Sequence, residues 1–193
     1  PHRGFETVTI AYKGEISHRD SHGGGGTIQT GDVQWMTAGA GLLHEELHSE
    51  AFTQQGGELE MVQLWVNLPA KDKMTKGKYQ AITQAQIPSI ALDDAGSYLR
   101  VIAGQYTDVQ GAASTFSPVN VWDIQLAAGQ QHEFNVPVGQ TCIVVVRQGT
   151  VRINQQYDVT DHSFVLFDRD DAAPIQISAE QGAGILILTG QPL

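Results

Sequence analysis

The chain has one cysteine, 11 lysines and arginines, and no apolar run close to the ~20 residues that span a bilayer. Each scarcity excludes something. Cys142 alone cannot form an internal disulfide, and its place in "TCIVVV" reads as a buried thiol. A reducing, cytoplasmic setting fits, and a nuclear one as well in a eukaryote. The 11 basic residues face 21 acidic ones, a net charge of −10 that phosphate backbones repel, so no nucleic acid is expected as a partner. No membrane span is expected either. Charged residues are only 17% and apolar residues 41%, an ordinary globular balance that rules out wholesale disorder. The first residues, "PHRGFETVTI", hold neither a methionine nor a signal-like segment, and the expectation is an internal piece of a longer product.

What is present is strand signal. "ETVTIAY" (6–12) alternates, with Val8, Ile10 and Tyr12 on one face and Thr7, Thr9 and Ala11 on the other. "SHGGGG" (21–26) interrupts the chain. Further short strands are expected at 33–36, 61–68, 142–146, 150–154, 163–167, 175–178 and 185–189, punctuated by Gly, Asp and Pro. That spacing is the signature of an all-β sandwich or barrel. The lysine-rich "PAKDKMTKGKYQAITQAQIP" (69–88) lacks the alternation and reads as a linker with one short helix. The domains expected are 1–70 and 95–193, with 71–94 between them. Aligned on Gly14 and Gly149, "NVPVGQTCIVVVRQG" lies opposite "PHRGFETVTIAYKG", so the halves read as degenerate repeats. Polar residues of the first copy face Asn135, Pro137 and Cys142 in the second, as if metal chemistry survived in one copy only.

The chemistry-bearing stretch is "GLLHEELHSE" (41–50). On a strand, His44, Glu46 and His48 share one face, and Leu43, Glu45 and Leu47 the other. An inward even face would gather imidazoles and a carboxylate that need a cation; an inward odd face would bury the leucines and end the site. Residues 44–48 also match H-E-x-x-H, a helical zinc motif, but Gly39, Gly41, Gly56 and Gly57 leave little room for the amphipathic helix it requires. At the start of the chain, parity places His2, Gly4, Glu6, Val8 and Ile10 on one inward side, where Glu6 needs a cation or hydrogen bonds. His18, His22, His132 and His162 read as surface residues, His48 as a rim residue, and Trp35 and Trp65 as packing.

These strings carry a resemblance. "PHRGFETVTI", "GDVQWMTAGAGLLHEEL" and "VQLWVNLP" are similar to the motifs of the pirin family, iron-containing bicupins, densely over 1–69 and loosely beyond. The resemblance implies two antiparallel cupin (jelly-roll) barrels packed side by side, with a metal in the first only. By position it implies His2, His44 and Glu46 as metal ligands, a further histidine preceding this chain, and Glu6 nearby but not a ligand. His48 departs from the family, which more often has proline there. The implied cofactor is one divalent ion, Fe(II) first, with Mn, Co, Ni or Zn as substitutes. The implied activity is quercetin 2,3-dioxygenase chemistry on a flavonol-like substrate with O2, Glu46 acting as ligand and proton acceptor. The rival implication is a non-enzymatic, iron-dependent redox sensor that binds a transcription factor or a metabolic enzyme.

Overall fold

A computed structural model describes residues 1–170 and 173–193. They divide into two compact units, Pro1–Gln86 with Leu193, and Ile87–Pro192. In the first, β1 (Phe5–Lys13), β2 (Ile16–Asp20), β3 (Gly25–Ile28), β4 (Val33–Thr37), β5 (His44–His48), α1 (Glu50–Gln55), β6 (Glu60–Asn67) and β7 (Lys78–Ile82) follow in order. They form a four-stranded sheet, β6-β1-β4-β7, and a three-stranded one, β3-β2-β5, all antiparallel. The polar stretch expected as a linker therefore supplies β7, paired with β4, and two 3-10 turns, Ala70–Asp72 and Gln84–Gln86. Its period-2 pattern is hidden because polar side chains occupy both faces of so short an edge strand.

The second unit holds β8 (Ser89–Ala91), β9 (Tyr98–Ala103), β10 (Gln105–Tyr106), β11 (Val109–Gln110), β12 (Val119–Leu126), β13 (Gln130–Phe134), β14 (Thr141–Ile153), β15 (Tyr157–Thr160), β16 (Ser163–Phe167), β17 (Ile175–Ala179) and β18 (Ala183–Gly190). The segments 142–146 and 150–154, expected as separate strands, are one long β14 with a register shift between Val146 and Gln148. Its interior is aliphatic, built on Leu99, Val144, Val146, Ile153, Ile177 and Ile185.

The repeat is real at the level of register. β1 pairs with β4 and β6; the first part of β14 pairs with β16 and β18. β2 pairs with β3 and β5; the last part of β14 pairs with β15 and β17. The irregularity at Ala11/Lys13 in β1 matches the one at Val146/Gln148 in β14, just before Gly14 and Gly149, both left-handed at φ 80° and 81°. A bulge is a specific feature of a strand, so its recurrence at the aligned position supports a duplicated topology.

The turn after β4 positions the segment that leads to β5. Gly39 sits at φ 51°, its carbonyl accepts the Gly4 amide at 2.7 Å, and the Ala40 amide donates to the Thr75 carbonyl at 2.8 Å. A Cβ on Gly39 would lie 2.1 Å from that Thr75 oxygen. Gly39→Ala is therefore expected to destabilise the chain by more than ~1 kcal/mol, through both the left-handed backbone and the clash. A urea midpoint unchanged from the parent would contradict this.

Candidate metal centre

β5 is extended, so the helical zinc motif is excluded, and its even face is the inner one. His44 and Glu46 are partly buried, while Leu43 and Leu47 are 60% and 55% exposed. His48 is exposed, at the rim as expected. Antiparallel pairing sets His18 opposite Glu46 and Asp20 opposite His44. Ligand atoms of His18, His44 and Glu46 gather within 4.8 Å of one another. The Nδ1 atoms of His44 and His18 are 3.4 Å apart.

The reading of His18 as a surface residue is corrected: it is 4% exposed. Ile16, His18 and Asp20 share one face of β2, and buried Ile16 marks that face as inward. The alternation Ile-x-His-x-Asp after Gly14 was the available signal. His18 stacks on Tyr79 with ring centroids 5.0 Å apart at 18°, and its Nε2 lies 3.6 Å from an Asp20 carboxylate oxygen. That separation exceeds a hydrogen bond.

His2 reaches the same place by a different route from the one parity gives. Gly4, at φ 77°, breaks the extended run before β1 begins at Phe5, so parity does not carry from Glu6 back to His2. Reciprocal backbone bonds of 3.0 Å tie His2 to Leu42. The His2 ring centroid lies 4.7 Å from that of His44, and His2 also meets Phe5 at 5.1 Å and Trp65 at 5.6 Å. Glu6 points the other way, off the face of β1 opposite to Thr9. It is fully buried, its carboxylate accepts the Thr37 hydroxyl at 2.7 Å, and burial pushes its pKa above the ordinary range. The expectation that it shares an inward side with His2 is thereby corrected.

Glu46 is held on three sides. Thr9 Oγ1 donates to its Oε1 at 2.9 Å, Gln34 Nε2 to the same oxygen at 2.7 Å, and Gln63 Nε2 to Oε2. Tyr79 Oη in turn donates to Gln34 Oε1 at 3.1 Å, which fixes the orientation of that amide. Burial, with the negative charges of Glu46 and Asp20, raises the Tyr79 phenol to about 12, so it remains a donor. Burial lowers His44 below the usual imidazole value against the pull of Glu46, and His2 and His18 lower it further. His2 is lowered by burial and then by the charge of the chain's amino group, against the pull of Glu46. Neutral imidazoles carry the lone pairs a cation needs. Asp20, though burial pushes it upward, is held below the carboxylate range by the His22 and Gly24 amides and by His18.

The donor set fits a divalent ion. It is nitrogen and oxygen only, and two buried polar atoms of this interior, Thr7 Oγ1 and His18 Nε2, have no hydrogen-bond partner among the described residues.

The remaining expectations resolve as follows. Trp35 is buried, as a packing residue should be, but Trp65 is 65% exposed and forms a rim with Phe5, centroids 4.8 Å apart. His22 and His162 are exposed. His132 is corrected: it is largely buried, with Nε2 2.7 Å from Asp93 Oδ2. Asp93 is pulled well below the carboxylate range by the Ser97 hydroxyl first, then by the Ser97 amide, His132 and the Ala95 amide. The pair ties β13 to the loop that precedes β9 in the second unit.

The second unit shows what the first has kept. With Gly14 set on Gly149, His2 corresponds to Pro137 and His18 to Ile153. Strand pairing then sets His44 against Ile175 and Glu46 against Ile177. The donors to Glu46 become Val144 for Thr9, Val165 for Gln34 and Ile187 for Gln63. Each of these seven positions is aliphatic in the second copy.

Comparison with known proteins agrees with this architecture. Residues 1–66 match the pirin family model, and 121–193 match that of the pirin C-terminal cupin domain. A Pseudomonas aeruginosa protein named "Putative quercetin 2,3-dioxygenase" is 52% identical over all of this chain, which spans 67% of that protein. Pirin-1 of Arabidopsis thaliana is 34% identical, the chain spanning 66% of its length. A crystal structure of quercetin 2,3-dioxygenase from Acinetobacter baumannii superposes with a TM-score of 0.95 at 59% identity, over 99% of this chain and 66% of that one. The chain, two jelly-roll cupin units spanning about two thirds of these relatives, belongs to the pirin family.

Proposed function

We propose that the first unit is the metal-binding half of a dioxygenase that opens the central ring of flavonol-type substrates with O2. The observation that carries this is the setting of Glu46: a carboxylate oriented by Thr9, Gln34 and Gln63, beside the His44 imidazole, whose pKa burial lowers. An all-nitrogen-and-oxygen donor set suits Fe(II), with Mn, Co, Ni or Zn as substitutes. His44 and Glu46 are the central ligands in this reading, and His2 and His18 flank His44 on either side. When bound, the ion supplies a Lewis-acidic centre with positions open to oxygen ligands.

The chain's own residues do the rest. Trp65 and Phe5 offer an exposed aromatic surface on which a planar substrate stacks. Glu46 accepts the proton of the substrate's 3-hydroxyl, and its three donors keep its oxygens aimed while it does so. Both atoms of O2 enter the opened product, and one ring carbon leaves as CO.

The test is O2 uptake by the iron-loaded chain with quercetin, read with CO release. Uptake well above that of free iron is expected, falling by at least ~100-fold in Glu46→Gln. Trp65→Ala is expected to raise KM with little effect on kcat. Uptake equal to free iron, from a chain that binds one ion, would replace the enzyme with an iron-dependent regulatory binding module.

A further inference from the structure

Two cations stand at the rim of the metal-bearing interior with no acid to pair with. Asn67 lies opposite Phe5 and two residues beyond Trp65, on the same face of β6 as Trp65 and Gln63. Lys73 Nζ donates to its Oδ1 at 2.6 Å and to the Gly4 carbonyl at 3.0 Å. Both acceptors are neutral, and an ammonium has three hydrogens to give, so one is left. Arg3 is exposed, and a terminal guanidinium nitrogen donates to the sulfur of Met74, the residue after Lys73, at 3.4 Å. Neither cation is ion-paired among the described residues, in a chain whose net charge is −10.

The second copy supplies the contrast. Gly139 stands where Gly4 does, left-handed at φ 81° against 77°. A Cβ on Gly4 would touch the Lys73 stem at 3.7 Å, whereas one on Gly139 would meet nothing within 4 Å beyond its chain neighbours. The left-handed turn therefore folds without a lysine laid over it. Phe5 and Trp65 become Gln140 and Thr189, whose side chains bond one another at 2.8 Å, and Arg3 becomes Val138. Cation, aromatic rim and metal donors are lost together, as the parts of one site are.

Three features follow one another along β6. Gln63 donates to Glu46, Trp65 offers its exposed ring, and Asn67 holds Lys73. From Gln63 to Asn67 is four strand residues, about 13 Å. A flavonol whose 3-hydroxyl meets Glu46 lays its B ring by Trp65 and brings a substituent on the 4′ carbon to the ammonium. A carboxylate there takes the remaining Lys73 hydrogen in a charge-assisted bond, and a neutral group gains less.

We infer that the substrate of the first unit is an aromatic acid: a flavonol-type molecule with a carboxylate at the end of its B ring, seated on Lys73 with Arg3 beside it. This rests on the flavonol reading above and narrows it.

The probes are 3-hydroxyflavone-4′-carboxylate and its carboxamide, which share their shape and their metal-facing oxygens and differ in charge. Each is titrated into the zinc-loaded chain, where no turnover intervenes, and binding is read by calorimetry. The carboxylate is expected to bind about tenfold more tightly, the worth of one hydrogen bond to a charged group. Lys73→Met keeps an apolar stem over Gly4 and is expected to bring the carboxylate down to the affinity of the carboxamide. Lys73→Arg is expected to keep the preference. Equal affinities in the parent, a preference that survives in Lys73→Met, or a parallel loss of both probes in that variant would each overturn the inference. Should Lys73→Met fail to fold, the two titrations of the parent still decide it. A zinc-loaded parent that binds neither probe would remove the flavonol reading, and the inference with it.

Discussion

His44→Ala is expected to weaken divalent-metal binding by more than ~100-fold, while His132→Ala leaves it unchanged; each is read by isothermal titration and by metal content after dialysis. The threshold is set by what peripheral changes do: removing a residue that merely orients a ligand costs 10–100-fold, and a ligand costs more. His44 is the right residue to truncate because it is common to every pair. Its ring lies 4.7 Å from that of His2 and 5.2 Å from that of His18, and its strand neighbour Glu46 is two residues away. His132 has a carboxylate of its own in Asp93, in the other unit. The same contrast appears in thermal melts. A ligand that binds only the folded chain raises its melting temperature. Added metal therefore raises that of the parent and of His132→Ala but not that of His44→Ala. Equal metal content in both variants would remove His44, and with it the centre, from the first unit.

The parts of this centre legible in the sequence are those whose strands have one apolar face or whose motifs are long. β1, β6 and β17 announce themselves by Val, Ile or Leu at alternate positions, β16 and β18 by unbroken apolar runs, and β4 by Val33, Trp35 and Met36. β2 does not, because its inner face is itself functional. His18 and Asp20 point inward and Ser17 and Arg19 outward, so both faces are polar and the period vanishes. That is why His18 reads as a surface residue until β2 is paired with β5. β9 and β12 were hidden by a different effect. Arg100 and Asp123 interrupt their apolar runs, and only their register, opposite one another, shows that Arg100 Nε and a terminal guanidinium nitrogen donate to one Asp123 oxygen at 2.9 and 2.6 Å. A charge read singly looks exposed; the pair is buried. Gly4 is the third case. Strand parity assumes continuous extension, and one left-handed residue moved His2 to the side opposite Glu6. The motif strings nevertheless implied His2, because a resemblance by position does not depend on the backbone between.

The counterpart of Glu46 gives the sharpest test of why metal chemistry belongs to one copy. Ile177→Glu sets a carboxylate where the second unit has Ile177 fully buried, and where Val144, Val165 and Ile187 stand in place of Thr9, Gln34 and Gln63. No hydroxyl or amide waits for it there. A carboxyl group buried among aliphatic side chains reaches a pKa of about 8–9, against about 4.3 in the unfolded chain. The folded state then holds its proton while the unfolded state releases it. The unfolded chain gains with rising pH, and the loss of stability grows by about 1.4 kcal/mol per pH unit from about pH 4.3 up to the folded pKa. Between pH 5 and pH 7 the variant is expected to lose about 2.7 kcal/mol relative to its parent. A pH-independent loss of about 2–3 kcal/mol for the buried isoleucine comes on top of that. Urea unfolding of both chains at the two pH values, followed by tryptophan fluorescence, reads the difference directly. An equal deficit at both pH values would mean that the introduced carboxylate finds water or a donor. The aliphatic interior would then not be what bars an ion from the second unit. A deficit that steepens with pH means the reverse: the three polar neighbours of Glu46 make an ionised carboxylate tolerable in the first barrel, and with it a bound cation.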